Sequence, residues 1–502
     1  MWDAKLLQLK TLLHEVSDLE NANALLSWDQ STYMPAGGAD ARGRQMATLG
    51  RIAQEKFTAA SVGKLLDELQ TYAESLPYDH NDAALIRATR RKYERNVKIP
   101  AQLLAEMSEH AAKTYQVWTE ARPANDFKRV QPLLEKTLDH SRQMADCFPG
   151  YEHIADPLID FSDYGMKSAS VRNLFSELRA QLVPLVQTIT AQPLADDSCL
   201  QQHFPEDAQL AFGQNVISQL GFDFKRGRQD KTHHPFMTKF SNGDVRITTR
   251  VKANDFAYAF FSTTHETGHA LYEQGINPTF EGTPLNEGAS NGVHESQSRT
   301  WENLVSRSRE FWQYFYPQLQ QAFPGQFSHV AFDTFYRAIN KVERSLIRTE
   351  ADEVTYNLHV MIRFELEMQM LEGSLAVKDL PEAWHAAYES SLGITAPNDI
   401  NGCMQDVHWY GGHIGGVFQG YTLGNILSAQ FYDTALKAHP TIPQEMAQGE
   451  FNTLHNWLKA NIYQHGSKYT APELIEKVTG RGLDIAPYMN YLRNKYGELY
   501  SL

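Results

Sequence analysis

A chain of 502 residues, 42% of them hydrophobic and 21% charged, is long enough to bury a large core and has the composition of a soluble globular protein. Its net charge of −14 comes without a long block of one sign, so we expect no nucleic-acid partner. No run of about 18 apolar residues and no signal-peptide pattern is present, so we expect no membrane contact. The three widely spaced cysteines favour a cytoplasmic location.

Helical periodicity dominates the chain. Apolar residues recur every three or four positions in segments such as 4–16, 132–148 and 171–189, which predicts one helix after another. We therefore predict a mainly α fold. Because the sequence contains no internal repeat and no long linker, we expect residues 1–502 to form a single catalytic unit.

A short β-strand interrupts this helical pattern at residues 243–252. Apolar and polar side chains alternate there after a turn-forming "SNGD", as expected of a strand with one apolar and one polar face. The strand comes shortly before the segment with the strongest chemical signal. We therefore expect a small sheet next to the helix that carries the active site.

That segment reads "FSTTHETGHALYEQG", with a helix cap available at 254–255 and a stop near Gly275. Residues four apart share a helix face, so His265 and His269 can direct ring nitrogens at one metal ion. Glu266 points about 100° round the helix from His265, which keeps it off the metal and within reach of a metal-bound water. The spacing thus predicts two ligands and one general base.

A third ligand is needed, because a catalytic zinc usually keeps three protein side chains and one open position. Glu295 can supply it, since the Pro/Gly-rich loop 274–292 lets the next helix pack back against the first. Zinc lowers the pKa of its bound water to about 7, and Glu266 can take the proton as that water attacks a carbonyl carbon. We predict metal-assisted amide hydrolysis.

Five motifs occur in order along the chain: "DVRIT" (244–248), "HETGH" (265–269), "HESQS" (294–298), "IRTEADEVTY" (347–356) and "GCMQDVHW" (402–409). Together with "WDQSTYMPAGG" (28–38) and "HPF" (234–236), they resemble the carboxypeptidase Taq family of zinc metallocarboxypeptidases. The resemblance covers nearly the whole chain. It places the core of the metal site at approximately 234–424.

This resemblance implies a large helical zincin, similar in shape to neurolysin and angiotensin-converting enzyme, with helical subdomains on two sides of a deep central groove. It implies a homodimer that releases single C-terminal residues from peptides with broad specificity. The family's metal ligands fall on His265, His269 and Glu295, and its general base falls on Glu266. One divalent metal per chain is expected, zinc in the first place, with cobalt able to substitute.

An enzyme that acts on a free C-terminus must recognise a carboxylate, which Arg can bind with two hydrogen bonds. Arg348 is our first candidate, with Arg246 and Arg250 as weaker ones, and the alternative role of Arg348 is an ion pair with the acids at 350–353. The strand 244–251, with Arg246 and Thr248, can bind the substrate backbone as an added strand; a plain edge strand is the alternative.

The Gly-rich segment 402–424 offers further candidate residues. His408 and Tyr421 can donate hydrogen bonds to the oxyanion of the tetrahedral intermediate, or be structural residues. Asp406 can orient His408 or a metal-binding histidine.

Three other functions remain open from the residues. "ETGH" (266–269) and "EAWH" (382–385) match the ligand pairs of a di-iron carboxylate oxidase, although His265 would then have no role. A non-catalytic peptide-binding protein would use the same site without turnover. A dipeptidyl carboxypeptidase or an oligopeptidase would share the metal site, and only the resemblance favours removal of single residues.

Overall fold

The computed structural model describes residues 2–502, most of which are helical. The helices are α1 (Trp2–Thr32), α2 (Ala39–Phe57), α3 (Ala60–Ser75), α4 (Asn81–Lys98), α5 (Ala101–Ala121), α6 (Phe127–Asp146), α7 (Asp156–Asp160), α8 (Ser168–Thr190), α9 (Glu206–Leu220), α10 (Phe256–Gly275), α11 (Asn291–Arg299), α12 (Arg309–Ala322), α13 (Pro324–Phe327), α14 (Phe332–Ile339), α15 (Tyr356–Glu372), α16 (Leu380–Leu392), α17 (His408–Gly411), α18 (Phe418–Ala438), α19 (Ile442–Met446), α20 (Asn452–Asn461), α21 (Ala471–Thr479) and α22 (Ala486–Tyr500). A π-helical turn, Thr300–Val305, follows α11 directly. The predicted mainly α fold is confirmed.

The chain divides into two compact units, each made of three separated stretches. Unit 1 comprises residues 2–97, 197–339 and 428–482, and unit 2 comprises residues 98–196, 340–427 and 483–502. The action of residues 1–502 as a single catalytic unit stays a prediction. Within the described part of the chain, no helix combines the length and the apolar character needed to cross a membrane.

Helix α10 begins where its sequence predicts. Asp255 caps it, because its side chain accepts a hydrogen bond from the backbone N–H of Tyr258. Its first turns are packed among aromatic rings: Phe256 stacks on Phe260 with ring centroids 5.4 Å apart, and Phe260 lies 5.1 Å from Trp312. This apolar packing anchors the N-terminal half of α10 and leaves the second half to carry polar chemistry.

A three-stranded sheet, with β1 (Gln229–Lys231), β2 (Met237–Ser241) and β3 (Asp244–Thr249), lies against α10 in unit 1. Its order is β1-β3-β2, with β1 parallel and β2 antiparallel to β3. The predicted small sheet is therefore present. However, β3 is its central strand and pairs on both sides, so it has no free edge at which to add a substrate strand.

The close contact between α10 and α11 depends on Gly268. A Cβ added to Gly268 would lie 2.5 Å from the carbonyl oxygen of Gln297 and 2.5 Å from the Cα of Ser298. Glycine is therefore required for the two backbones to approach this closely. The approach brings Glu295, in the middle of α11, next to the histidines of α10.

Candidate metal centre and arginine cluster

Three side chains of unit 1 form what we call the metal-ligand cluster: His265, His269 and Glu295. Glu295 Oε2 lies 3.3 Å from His269 Nε2 and 3.7 Å from His265 Nε2. One ligand atom from each residue lies within 4.8 Å of the others. The two imidazoles come from successive turns of α10, as their four-residue spacing predicts. The cluster thus directs two nitrogens and one oxygen at a common point.

The donor set of this cluster fits a divalent cation. Glu295 uses its two oxygens differently: Oε1 accepts a hydrogen bond of 2.7 Å from Arg299 Nε, and Oε2 faces the histidines. Burial works against the charge on Glu295, but Arg299 and the two histidines hold its pKa well below the usual value. Burial lowers the pKa of His269 to about 4, so its ring is neutral at pH 7. An ionised carboxylate and neutral imidazoles are the forms that bind metals.

Glu302 supports His265 from behind, a role that the sequence analysis missed. Its Oε2 lies 2.8 Å from His265 Nδ1 and accepts a 3.1 Å hydrogen bond from Arg299 Nη1. Although burial opposes it, Arg299 and His265 lower the pKa of Glu302 to about 2. An ionised carboxylate on Nδ1 directs the lone pair of Nε2 toward the metal-ligand cluster. The one sequence signal that could have indicated this role is the position of Glu302, seven residues after Glu295.

His269 is supported by a second histidine. Its Nδ1 lies 2.6 Å from Nδ1 of His294, and Nε2 of His294 lies 2.8 Å from Glu273 Oε1. Glu273 in turn forms an ion pair with Lys239 of β2. The sequence analysis did not assign these contacts, although Glu273 lies four residues after His269 on the same helix face.

Glu266, the predicted general base, is buried on α10 next to these ligands. It is 7% exposed, and no side chain among the described residues hydrogen-bonds to it. Burial raises its pKa to about 7. A carboxylate with that pKa can both accept and release a proton near neutral pH.

Four of the predicted residues, Arg348, Asp406, His408 and Tyr421, belong to unit 2. Together with Arg363, which the sequence analysis missed, they form what we call the arginine cluster. Asp406 lies at its centre. Its Oδ2 accepts hydrogen bonds from Nε of Arg348 at 2.6 Å and from Nε of Arg363 at 3.0 Å, and its Oδ1 contacts Nδ1 of His408. Despite its burial, these cationic and hydrogen-bonding partners hold the pKa of Asp406 far below the usual value.

Arg348 is 5% exposed, and its guanidinium is fixed by side chains distant in sequence. Besides Asp406, it donates a 3.0 Å hydrogen bond from Nη1 to the hydroxyl of Tyr356. Two of the nearby acids have other partners, since Asp352 accepts from the backbone N–H of Val354 and Glu353 pairs with Lys495. The acid that forms an ion pair with Arg348 is therefore Asp406, and not Asp352 or Glu353.

His408 links Asp406 to Tyr421. Its Nδ1 contacts the Asp406 carboxylate, and its Nε2 lies 3.0 Å from the hydroxyl of Tyr421. The contact orients the phenol. Of the two roles considered for Asp406, the structure shows the contact with His408.

Arg246 and Thr248 make contacts within the sheet and its surroundings. Arg246 pairs with Asp244 through two hydrogen bonds of 2.8 and 2.7 Å, and its guanidinium lies over the ring of Trp28. Thr248 is fully buried, and its hydroxyl hydrogen-bonds to the backbone of Phe236. We therefore leave both residues out of the proposed substrate site.

Two histidines one helical turn apart, a carboxylate from the next helix and a buried glutamate form the arrangement expected of a metallohydrolase centre of the HExxH class. Among the described residues, the three ligands are the one group of His, Cys, Asp and Glu with a metal-binding arrangement, and the "EAWH" residues 382–385 belong to no such group. Over residues 8–496 the chain matches the family described as carboxypeptidase Taq (M32) metallopeptidase, and it belongs to that family. It is a metallocarboxypeptidase, which hydrolyses peptides with a divalent metal.

Similar proteins match over almost their entire lengths. Thermostable carboxypeptidase 1 of Thermus thermophilus is 39% identical, with 97% of each chain covered. Carboxypeptidase 1 of Bacillus subtilis is 37% identical, with 98% of each chain covered. The crystal structure of the M32 carboxypeptidase from Deinococcus radiodurans R1 superposes with a TM-score of 0.96 at 51% identity, covering 99% of this chain and 100% of that one.

Proposed function

We propose that this metallocarboxypeptidase releases single residues from the free C-terminus of peptides, with weak dependence on sequence. One metal ion per chain is held by His265, His269 and Glu295, and Glu266 is the general base. The observation that carries the proposal is the convergence of the three ligand atoms within 4.8 Å. The family resemblance supports the choice of single residues.

Zinc is the metal that we propose, with cobalt as a substitute, because two imidazoles and one carboxylate form a common ligand set of catalytic zinc. When bound, a cation of this kind polarises the scissile carbonyl and makes the attacking water more acidic. The chain's own contribution is orientation. Glu302 fixes His265, and Arg299 turns the second oxygen of Glu295 toward the histidines.

Glu266 moves the proton in the proposed reaction. Its carboxylate takes a proton from the attacking water and delivers it to the nitrogen of the leaving amino acid, so the C–N bond breaks without releasing an amide anion. The burial that raises its pKa to about 7 supports this role, because the group is then basic enough to accept the proton and acidic enough to return it.

Arg348 is the residue that we propose to bind the C-terminal carboxylate. Asp406 and Tyr356 occupy Nε and one N–H of Nη1, and neither contacts Nη2. A guanidinium held on one side keeps its other N–H groups in a fixed direction, which suits a planar carboxylate. Tyr421 is proposed to donate a hydrogen bond to the oxyanion of the tetrahedral intermediate, and His408 to hold the Tyr421 hydroxyl in position.

The decisive experiment uses one peptide in two forms, with a free C-terminus and with a C-terminal amide. Mass spectrometry of a time course should show successive loss of single residues from the free peptide, and almost none from the amide. Loss of residues in pairs, or equal cleavage of the amide, would contradict the proposal. Chelation should stop the reaction, and added zinc or cobalt should restore it.

We also propose that the enzyme is a cytoplasmic homodimer. The dimer rests on the family resemblance, and the cytoplasm on the low number of cysteines, all three of which are free thiols. Light scattering on the purified chain tests the oligomeric state directly: a molar mass of one 57.0 kDa chain at micromolar concentration would contradict the dimer.

A further inference from the structure

The two histidines of the metal-ligand cluster have different supports. Nδ1 of His265 contacts the carboxylate of Glu302 directly, at 2.8 Å. Nδ1 of His269 instead contacts another imidazole, His294, whose second nitrogen contacts Glu273. The support of His269 is therefore a chain of two imidazoles and a carboxylate. Nothing in the spacing of the HExxH motif requires this intermediate ring.

The direction of the hydrogen bonds along this chain follows from its last member. Glu273 is buried and paired with Lys239, whose ammonium group also donates a 2.6 Å hydrogen bond to the backbone oxygen of Asn286. Burial opposes ionisation of Glu273, but Lys239 and His294 lower its pKa to about 2. An ionised carboxylate can only accept. His294 must therefore donate its Nε2 proton to Glu273.

A metal ion on Nε2 of His269 would leave the ring proton of His269 on Nδ1, so Nδ1 of His294 is the acceptor in their contact. It accepts the Nδ1 proton of His269, and Nε2 of His269 retains its lone pair on the side of Glu295. The ring of His294 is also held in place. It lies 5.1 Å from the ring of Tyr272, and a Cβ at Gly288 would lie 2.7 Å from its Cδ2.

We propose that His294 is a positioning residue of the metal centre, which transmits the acceptor character of Glu273 to His269 and so keeps the lone pair of His269 Nε2 directed at the metal. We call His294, Glu273 and Lys239 the relay. This inference rests on the proposed metal site. It adds three residues to the metal centre, which act by fixing the tautomer of His269.

The variant Glu273→Gln tests the direction of the hydrogen bonds. Lys239 can donate only to an oxygen, so the amide nitrogen of the new side chain faces His294. That nitrogen donates to Nε2 of His294, which moves the His294 proton to Nδ1 and the His269 proton to Nε2. Because His269 then lacks a lone pair for the metal, we expect zinc affinity to fall about 10- to 100-fold.

Two substitutions of His294 separate the hydrogen bonds from packing. His294→Phe keeps an aromatic ring but removes both hydrogen bonds, and we expect a loss similar to that of Glu273→Gln. His294→Gln provides an amide oxygen for His269 and an amide nitrogen for Glu273, so it should retain most of the wild-type affinity. A purely packing role predicts the reverse order.

Affinity is measured on the purified full-length chain by competition for zinc with a chromophoric chelator. The matched control is Glu287→Gln, the same substitution in the loop before α11, where the carboxylate is exposed and pairs with Lys92. Thermal melting in excess chelator reports whether each variant folds normally without metal. Changes in melting that parallel those in affinity would identify a structural role.

Wild-type affinity in Glu273→Gln would overturn the relay, and so would equal losses in His294→Gln and His294→Phe. The variant His269→Gln distinguishes this from failure of the proposed site. If His269→Gln abolishes zinc binding while Glu273→Gln does not alter it, only the relay is wrong. If His269→Gln also binds like wild type, the proposed metal site itself is wrong.

Discussion

The metal-ligand cluster of unit 1 and the arginine cluster of unit 2 are each built around one buried carboxylate, used in opposite ways. One oxygen of Glu295 accepts from Arg299, and the other faces the two histidines and accepts a 3.0 Å hydrogen bond from the hydroxyl of Ser298. Asp406 engages both oxygens with protein side chains. In the function that we propose, the carboxylate of the first cluster binds the metal itself. The carboxylate of the second cluster orients Arg348, which we propose as the group that binds the substrate carboxylate.

The comparison teaches that burial of a carboxylate does not by itself reveal its role. Both acids keep a pKa below the usual value because cationic or hydrogen-bonding partners outweigh desolvation. What differs is that one oxygen of Glu295 faces the two imidazoles of α10, at 3.3 and 3.7 Å, whereas the oxygens of Asp406 contact the side chains of Arg348, Arg363 and His408. The four experiments below test this contrast, from the largest expected effect to the smallest.

Glu266→Gln should separate the base from the ligands within unit 1. Because the amide cannot accept the proton of the attacking water, we expect kcat to fall by about 10²- to 10⁴-fold, with zinc affinity near that of the wild type. Steady-state kinetics and chelator competition measure the two quantities. A comparable loss of zinc affinity would make Glu266 a ligand and contradict its assignment.

Arg348→Ala should reveal the binding function of the arginine cluster. Hydrogen bonds to a charged group contribute about 1.5–3 kcal/mol, so kcat/KM for a free-carboxylate peptide should fall about 10- to 100-fold, mainly through KM. The slow cleavage of the amidated peptide should not change. The control is Arg493→Ala on α22, where the arginine donates a 3.0 Å hydrogen bond to the side chain of Gln181. An unaltered KM would leave Arg348 as an ion-pair strut.

Gly268→Ala should show that unit 1 depends on a backbone contact. The added Cβ would lie 2.5 Å from the backbone of α11, so we expect a loss of about 1–3 kcal/mol in the free energy of unfolding, together with weaker zinc binding. Gly497→Ala on α22 is the matched control, since its Cβ meets nothing within 4 Å. Alanine there should stabilise the helix by up to about 1 kcal/mol. Equal melting temperatures for the two variants would contradict the contact.

Glu302→Gln should have the smallest effect of the four. The amide oxygen can still accept from Nδ1 of His265, but it lacks the charge that pairs with Arg299, so we expect zinc affinity to fall about tenfold. Chelator competition is the measurement, and melting of the metal-free chain is the control for folding. A loss as large as that of His269→Gln would mean that Glu302 itself is a ligand.

Much of unit 1 could be predicted because its chemistry depends on neighbours in sequence. The spacing of His265 and His269, the cap at Asp255 and the helix end at Gly275 are all local features. Each follows from helix geometry or from one turn of hydrogen bonding. The central place of β3 in the sheet could not be predicted, because an alternation of apolar and polar residues indicates a strand but not the number of strands that flank it.

The hydrogen-bond partners of Arg348 in unit 2 could not be predicted, because the most important of them is not a neighbour in sequence. Arg348 and Asp406 are 58 residues apart, and no periodicity connects a 3₁₀ turn to a loop across that distance. The acids at 350–353 were nearer in sequence and chemically equivalent. Only the folded chain distinguishes them, because it buries Asp406 against the guanidinium and gives Asp352 and Glu353 other donors.

The π-helical turn Thr300–Val305 sets the direction in which Glu302 points. A π turn contains one residue more than an α turn, so it is equivalent to a single-residue insertion into a regular helix. That extra residue changes the direction of Glu302 relative to Glu295 on the same continuous helix. Removing one residue from this turn would restore regular winding and rotate Glu302 away from His265.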